Sequence, residues 1–530
     1  MTTWRSLTLP GLFALLAASG CSLAPTYEKP AVALPAAFKE GAGGPGAAGA
    51  ANAASATNAT SATSATNAAD AADAADAADA ADAASGVAAR NGQWKVAEPA
   101  EAQARGAWWR VFGDPVLNAF EDDAVAANPG LQVAAARVKE SRAIQQASRA
   151  GLFPTLDAGF GPSRQKFSPA SQFLPDNANG PLQTFWRAQA GVSYEADLFG
   201  RVSDEVKAST ADAEQSEATF RSVMLALQSD VARSYFTVRE LDAELAVLSR
   251  SVALRDDALR LVQHRFELGE VSELDLAQSR AELASARSDL LTLTRLRAAA
   301  EHSLAVLLGK TPAEFSFAAS PLEPVSVEIP AGLPSALLER RPDIAAAERT
   351  VAAANARIGV AKAAFFPSLS LTGVGGFESA SLGDLMKWSS RAFLLGPLAG
   401  TALTLPLFDG GRRSGNLANA RAVHEESVAN YRQQVLTAFR EVEDNLAALR
   451  ILKDQRVTQW IAVSASNRAS QLSVKQYREG AVSYLEVIDA ERSALQARRA
   501  DAQLAGVQAL STVNLIQALG GGWEETIAAR

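Results

Sequence analysis

Few residues of this 530-residue chain are suited to covalent or metal chemistry: one cysteine, Cys21, and three histidines, His264, His302 and His424. No two of them stand at the spacing of a zinc site, and a single cysteine builds no disulfide framework. No serine sits in a nucleophile-elbow context with an acid and a histidine to follow. Gly373, Gly375 and Gly376 lie in an alternating strand pattern instead of opening a helix as a dinucleotide loop does. We therefore expect no enzyme, no cofactor and no metal. Lys and Arg number 50 against 58 Asp and Glu, and the formal charge of −8 falls to −3 without Asp70, Asp73, Asp76, Asp79 and Asp82 of one low-complexity tract. The basic excess that nucleic-acid binding needs is missing. What remains are polar groups around two glycines: Asp275 after Gly269, and Tyr477, Glu486 and Asp489 around Gly480. Their chemistry is hydrogen bonding and charge.

At the N-terminus, Arg5 precedes the apolar run Leu7 to Ala18, too short to span a bilayer as a helix but suited to a secretory signal peptide of residues 1–20. Ala18-Ser19-Gly20-Cys21 resembles the lipobox of bacterial lipoproteins, which implies an acylated, palmitate-bearing Cys21 as the mature N-terminus. By the same resemblance, Ser22 favours sorting to the outer membrane. Residues 21–92 then form a lipid anchor and tether, because Gly41 to Gly92 contains no large apolar residue except Val87 and cannot offset its ordering entropy. No later stretch holds 18 uninterrupted apolar residues, so any membrane crossing must use strands.

The elements that position the two glycines come from a duplication. Asn128-Pro129-Gly130-Leu131 aligns with Arg341-Pro342-Asp343-Ile344, and Phe153-Pro154 with Phe366-Pro367. Leu198-Phe199 aligns with Leu407-Phe408, Gly269-Glu270-Val271-Ser272 with Gly480-Ala481-Val482-Ser483, and Leu308-Gly309 with Leu519-Gly520. Five anchors in one order at a nearly constant shift define two structural repeats, residues 93–323 and 324–530. Each opens with a helix (Leu131 to Ala150; Ile344 to Ala364) stopped by Phe-Pro. Two strands follow: Leu156 to Phe160 and Trp186 to Leu198 around a polar loop Gly161 to Thr184 in the first repeat, and Ser368 to Gly375 and Thr401 to Phe408 in the second.

A helix from Val202 to Phe266 comes next, without a single Gly or Pro. Met224, Val231, Val238, Leu245, Val252, Leu259 and Phe266 recur every seventh residue, the period of a left-handed coiled coil. Its ~65 residues rise roughly 100 Å. A second helix, Glu273 to Leu308, returns, and Arg413 to Arg478 with Tyr484 to Leu519 repeats the hairpin. The fold class is thus mainly α with transmembrane β: four strands per chain and two long helical hairpins. Four strands cannot close, and an open edge in lipid costs several kcal/mol per unpaired group, so the chain must oligomerise. A trimer with a 12-stranded barrel is the smallest arrangement that leaves a solute path, above a tube of helices.

Trp108-Trp109, Phe112, Asp114-Pro115, Leu333-Pro334-Ser335, Leu337 to Ile344, Ala347-Glu348 and Phe365-Phe366-Pro367 together resemble the TolC-type outer-membrane efflux factors, in particular their lipoprotein branch. The resemblance covers residues 93 to 530. It implies a homotrimer in outer-membrane lipid, most of each chain in the periplasm as an α-barrel, docked through a periplasmic adaptor (a membrane fusion protein) onto an inner-membrane RND-type pump. The function implied is the exit duct of a tripartite efflux system, and a conduit need not recognise its cargo. The alternative is a trimeric surface adhesin or a structural coiled-coil lipoprotein; an adhesin would carry its membrane strands at the C-terminus, where this chain is helical, and a lipid-anchored enzyme would need a polar constellation that the sequence does not offer.

Gly269 and Gly480 cap helices as residues that tolerate positive φ. The family resemblance adds that the tips Gly269, Val271, Ser272 and Gly480, Val482, Ser483 meet the adaptor. Asp275, Glu486 and Asp489 have a bland reading as acids favoured near helix N-termini. In a trimer, acids near the axis would form rings that prefer cations, and the family places its closing constriction here. Tyr477 facing Asp275 resembles the tyrosine-to-aspartate link that holds family apertures closed. Val482 stands where the family has an arginine, so the lock should be weaker or differently built.

Overall fold

The structure, a computed structural model, describes residues 22–31, 38, 106–166, 168, 175, 182–323, 327, 340–395 and 403–521. Residues 1–20, Cys21, the Gly41 to Gly92 tract and most of the Gly161 to Thr184 loop lie outside that set. After a 3-10 turn at Trp108–Phe112 come α1 (Pro115–Ala127), α2 (Pro129–Ala150), β1 (Thr155–Lys166), β2 (Leu182–Ala196), α3 (Arg201–Glu267) and α4 (Glu273–Leu307). Then follow α5 (Pro342–Ala363), β3 (Ser368–Ser379), β4 (Arg391–Leu395), β5 (Leu403–Thr404), α6 (Arg412–Arg478) and α7 (Tyr484–Ala518). The helix ends fall within one or two residues of those expected, because Gly and Pro punctuate the chain locally. Among the described residues no helix is long and apolar enough to cross a membrane.

The chain divides into two compact units. The first comprises Met1–Pro30, Arg137–Glu217 and Ala346–Tyr431 and holds the sheet. Its strands run antiparallel in the order β1-β2-β3-β4, with β5 also on β3. β2 and β3 pair across the two repeats, with Ala190 opposite Gly375 and Tyr194 opposite Leu371. Glycine is required at position 376, where a Cβ would lie 2.2 Å from the carbonyl oxygen of Ala188. Leu156, Phe160, Phe393 and Leu403 project from the sheet with half or more of their surface exposed.

Two strand expectations need correction. β1 runs to Lys166 and β2 begins at Leu182, so the ends of the supposed polar loop continue the ladder, with Lys166 opposite Leu182. In the second repeat Thr401 of the expected return strand Thr401 to Phe408 lies outside the described residues; among those described, the strand comprises Leu403–Thr404, and β4 also pairs with β3. Pairing stops at Thr404, opposite Ser368 where β3 begins, and Pro406 has no N–H with which to extend the ladder.

The segment after Cys21 is seated on the same unit. Ser22 Oγ donates to Asp204 Oδ1 at 2.7 Å, Asn355 Nδ2 donates to the Pro25 carbonyl at 2.8 Å, and Lys29 Nζ lies 2.6 Å from a Glu348 oxygen. The absent side chain of Gly359 leaves room for Ala24, whose Cβ lies 2.7 Å from where a Cβ would stand.

The second unit comprises Ala31–Ala136, Ala218–Ala345 and Arg432–Arg530. Its core gathers Trp108, Trp109, Leu117, Val231, Tyr235, Val238, Leu304, Leu308, Phe317, Val513 and Ile516. The seven-residue seam of α3 supplies Val231 and Val238, and its interleaved positions supply Leu227, Leu248 and Val262, all buried. The Asp114-Pro115 pair starts α1: Asp114 Oδ1 accepts from the Val116 N–H at 2.8 Å and from Leu117 at 3.3 Å, and Pro115 occupies N1. The Arg-Pro-Asp motif acts similarly before α5. Arg341, nearly fully buried, donates to Asp343 and Glu441, both at 2.6 Å, and to the Ala518 carbonyl at 3.1 Å. It thereby ties α5 to α6 and α7.

Candidate functional site: the hairpin tips

Both tips lie in the second unit and are built alike. Gly269 and Gly480 have φ of 76° and 75°. At the first, Glu270 N–H donates to the Arg265 carbonyl at 2.8 Å and Gly269 N–H to Phe266 at 2.9 Å. At the second, Ala481 donates to Gln476 at 2.8 Å and Gly480 to Tyr477 at 3.1 Å. This is the paired-bond Schellman ending of a helix, which needs a left-handed residue. Among the described residues, chain neighbours aside, nothing lies within 4 Å of where a Cβ would stand at either glycine, so the requirement is one of backbone conformation.

The next helices start differently. Ser272 caps α4 in a closed box: the Asp275 N–H donates to Ser272 Oγ at 3.3 Å, while the Ser272 N–H and hydroxyl donate to Asp275 Oδ2 at 3.2 and 2.9 Å. Ser483 caps α7 without a side-chain bond. Glu486 and Asp489 are exposed, Asp489 only 3.9 Å from Arg492. Val271 and Val482 pack partly onto a cluster of Val262, Leu276, Tyr477, Tyr484, Val487 and Ile488 that ties the two hairpins together below their tips.

The expected Tyr477 to Asp275 hydrogen bond is not formed. Asp275 is satisfied by its own cap, a local partner that costs less chain ordering than a bond across hairpins. Tyr477 is buried, its hydroxyl has no partner among the described residues, and burial pushes its phenol up. The Arg265 guanidinium lies 5.2 Å from the ring centroid. Near the tips a buried hydrogen bond between the hairpins comes instead from Tyr484, whose hydroxyl donates to Ser279 Oγ at 3.1 Å, both side chains buried. One turn beyond Ser279 on α4, Glu282 lies 3.2 Å from Arg255 of α3 and also pairs with Arg492 of α7. Burial pushes the neighbouring Glu491 carboxyl up, against the opposing pull of Arg255.

Tyr484, Ser279, Glu282 and Arg492 escaped the sequence reading because they carry no motif of their own; their signal is pairing across elements. A second group was legible but unread. Leu274 and Leu485, the second residues of α4 and α7, are related by the 211-residue repeat. Together with Leu268 they expose 64, 51 and 61% of their surface beside the glycines. Among the described residues no group of three or more His, Cys, Asp or Glu is gathered for a metal ion.

Comparison with known proteins agrees with this architecture. The family model for outer membrane efflux proteins matches residues 122–310 and again 333–521. The chain is 36% identical to the probable efflux pump outer membrane protein TtgC of Pseudomonas putida, over 80% of this chain and 87% of TtgC. It is 31% identical to the cation efflux system protein CusC of Escherichia coli, over 96% of this chain and 97% of CusC. Its fold superposes on the open state of the MtrE outer membrane channel of Neisseria gonorrhoeae with a TM-score of 0.72 at 28% identity, covering 95% of this chain and 98% of MtrE. A duplicated sheet-and-hairpin chain that matches the family model in both halves belongs to the outer membrane efflux protein family, and it serves as the outer-membrane exit duct of an efflux system.

Proposed function

We propose that three copies of the chain close a 12-stranded barrel and that their hairpins receive substrate from an inner-membrane RND-type pump through a periplasmic adaptor. The open edges of the sheet support the trimer. β1 on one side, and β4 with β5 on the other, end the pairing among the described residues, and a neighbouring copy would satisfy those backbone groups in lipid. The conduit reading needs no catalytic group. The observation that carries the tip assignment is their shared construction: two open positive-φ glycines, each beside an exposed leucine at the same repeat position. Such a surface suits an apolar helical partner whose backbone must come close.

Cys21 is the lipid attachment site in this reading. The bond from Ser22 to Asp204 then holds the anchor near the start of α3, directly after the strand β2. Glu486 and Asp489, exposed on one face of α7 at i and i+3, line the closing constriction as three-fold rings. Asp275 and Tyr477 contribute to the same gate as a helix cap and a packed ring, while Tyr484 with Ser279 forms a buried bond between hairpins.

The test is conductance of the purified full chain in planar lipid bilayers. Wild type should prefer cations, and Glu486→Gln with Asp489→Asn should reduce that preference. Unchanged selectivity would remove the two acids from the constriction; absence of any channel would remove the conduit reading.

A further inference from the structure

Where α3 and α7 run antiparallel in the second unit, three polar residues of α3 face α7 in succession. Arg233 donates to Asn514 Oδ1 at 2.9 Å and to Gln517 Oε1 at 2.6 Å. Glu244 accepts from Arg499 at 3.1 and 3.2 Å and from Gln503 at 3.2 Å. Glu240, between them, has no hydrogen bond or ion pair among the described residues, yet it is half-buried. Its side chain lies on Gly506 of α7. A Cβ there would stand 2.3 Å from Glu240 Oε2 and 2.4 Å from its Cδ. Glycine is the least favourable residue after proline in the interior of a helix, and φ is not positive at Gly506, so no turn requires it. What the missing side chain supplies is a seat for the carboxyl group of Glu240.

Among the described residues no cation serves that seat. Along α3, Arg233 is taken by Asp230, Asn514 and Gln517, and Arg239 lies over the Phe317 ring at 4.1 Å and donates to the Ala318 carbonyl at 2.9 Å. Asp242 is held by Arg297 and by the Ser320 N–H. From α7, Arg499 is taken by Glu244, which itself faces Glu240 with like charge. An ionised Glu240 would therefore lose water, gain no partner and meet a second carboxylate.

We propose that Glu240 is a proton-binding switch in the seam between α3 and α7: protonated, its carboxyl folds onto the bare backbone of Gly506, and ionised, it lifts into water and loosens the seam. Burial first, and Glu244 second, push the carboxyl up to about 7. The sign follows from linkage. A carboxyl that is harder to ionise in the closed seam than in water favours closure at low pH, and that preference is lost as pH rises from the ordinary carboxylate range to about 7. Because α3 belongs to one hairpin and α7 to the other, the seam responds to the acidity of the fluid around the duct.

Hydrogen exchange of the full chain in detergent, followed by mass spectrometry at pH 5 and pH 7.5 and corrected for intrinsic exchange, tests this. Peptides covering residues 499–510 should lose protection by roughly tenfold or more at the higher pH, the size a shift of more than one pH unit implies. Glu240→Gln should keep the protection at both values. Gly506→Ala fills the seat, so protection should be low at both values and the pH dependence gone. If Gly506→Ala does not fold, Glu240→Gln decides alone. The proposal is overturned if Glu240→Gln shows the wild-type pH dependence, or if folded Gly506→Ala retains it.

Discussion

Replacement of Glu121 should stabilise the protein, and increasingly so as pH rises. Glu121 lies on the inner face of α1 with Leu117 and Ala124, is 0% exposed, and has no hydrogen-bond partner on either carboxylate oxygen among the described residues. Burial, with Asp122 adding repulsion, pushes its carboxyl from 4.5 up to about 9. The folded chain thus keeps a proton that the unfolded chain releases near 4.5. Stability from the neutral form is complete below that value and is lost as pH rises toward 9. At about 1.4 kcal/mol per pH unit, the loss is about 3 kcal/mol per chain at pH 7 and about 6 kcal/mol at pH 9. Glu121→Gln removes the titration and keeps the shape; Glu121→Leu also removes the buried polar atoms and should add a roughly constant gain. Thermal melts of wild type and both variants at pH 5, 7 and 8.5 provide the assay. The gap between Glu121→Gln and wild type should be near zero at pH 5 and widen by several degrees at pH 8.5. A gap independent of pH would refute the reasoning, since it would mean that Glu121 reaches water or a cation in solution.

Tyr484→Phe and Ser279→Ala should each cost about 1 to 3 kcal/mol by breaking a buried hydrogen bond, raise single-channel conductance in planar bilayers, and add little when combined. Asp275→Ala should instead act as loss of a helix cap worth about 1 kcal/mol, and Tyr477→Phe should change little, because the two share no hydrogen bond; a non-additive pair would restore the direct lock. Arg341→Leu should destabilise the protein by about 3 to 5 kcal/mol in thermal or denaturant unfolding, since it strands Asp343 and Glu441 without their cation. Labelling with radioactive palmitate should mark the wild type and not Cys21→Ser, and retained label in the variant would place the acyl group elsewhere.

What the sequence determined by itself was everything written in local periods and breaks. α3 and α6 could be bounded because no Gly or Pro interrupts their interiors except Gly415 near the start of α6, and because Gly269 and Gly480 supply the left-handed residue that ends them. The duplication was equally legible, since anchors such as Phe153-Pro154 and Phe366-Pro367 keep their spacing whatever packs around them. The strands were harder to bound: polar residues at the outer ends of β1 and β2 read as loop, and only pairing of Lys166 with Leu182 made them strand. Tertiary structure alone decided which groups meet. Asp275 had two available partners, the nearby Ser272 and the distant Tyr477, and packing with local closure favoured the first. Two tyrosines flank the second tip, and the register between hairpins gave the hydrogen bond to Tyr484. Nothing in the sequence sets Glu121 or Glu240 apart from the other acids of the chain; whether such a side chain reaches water depends on the rotation of its helix against neighbours far away in sequence. Burial and partnership belong to pairs of elements, and a pattern within one element does not encode the register between two.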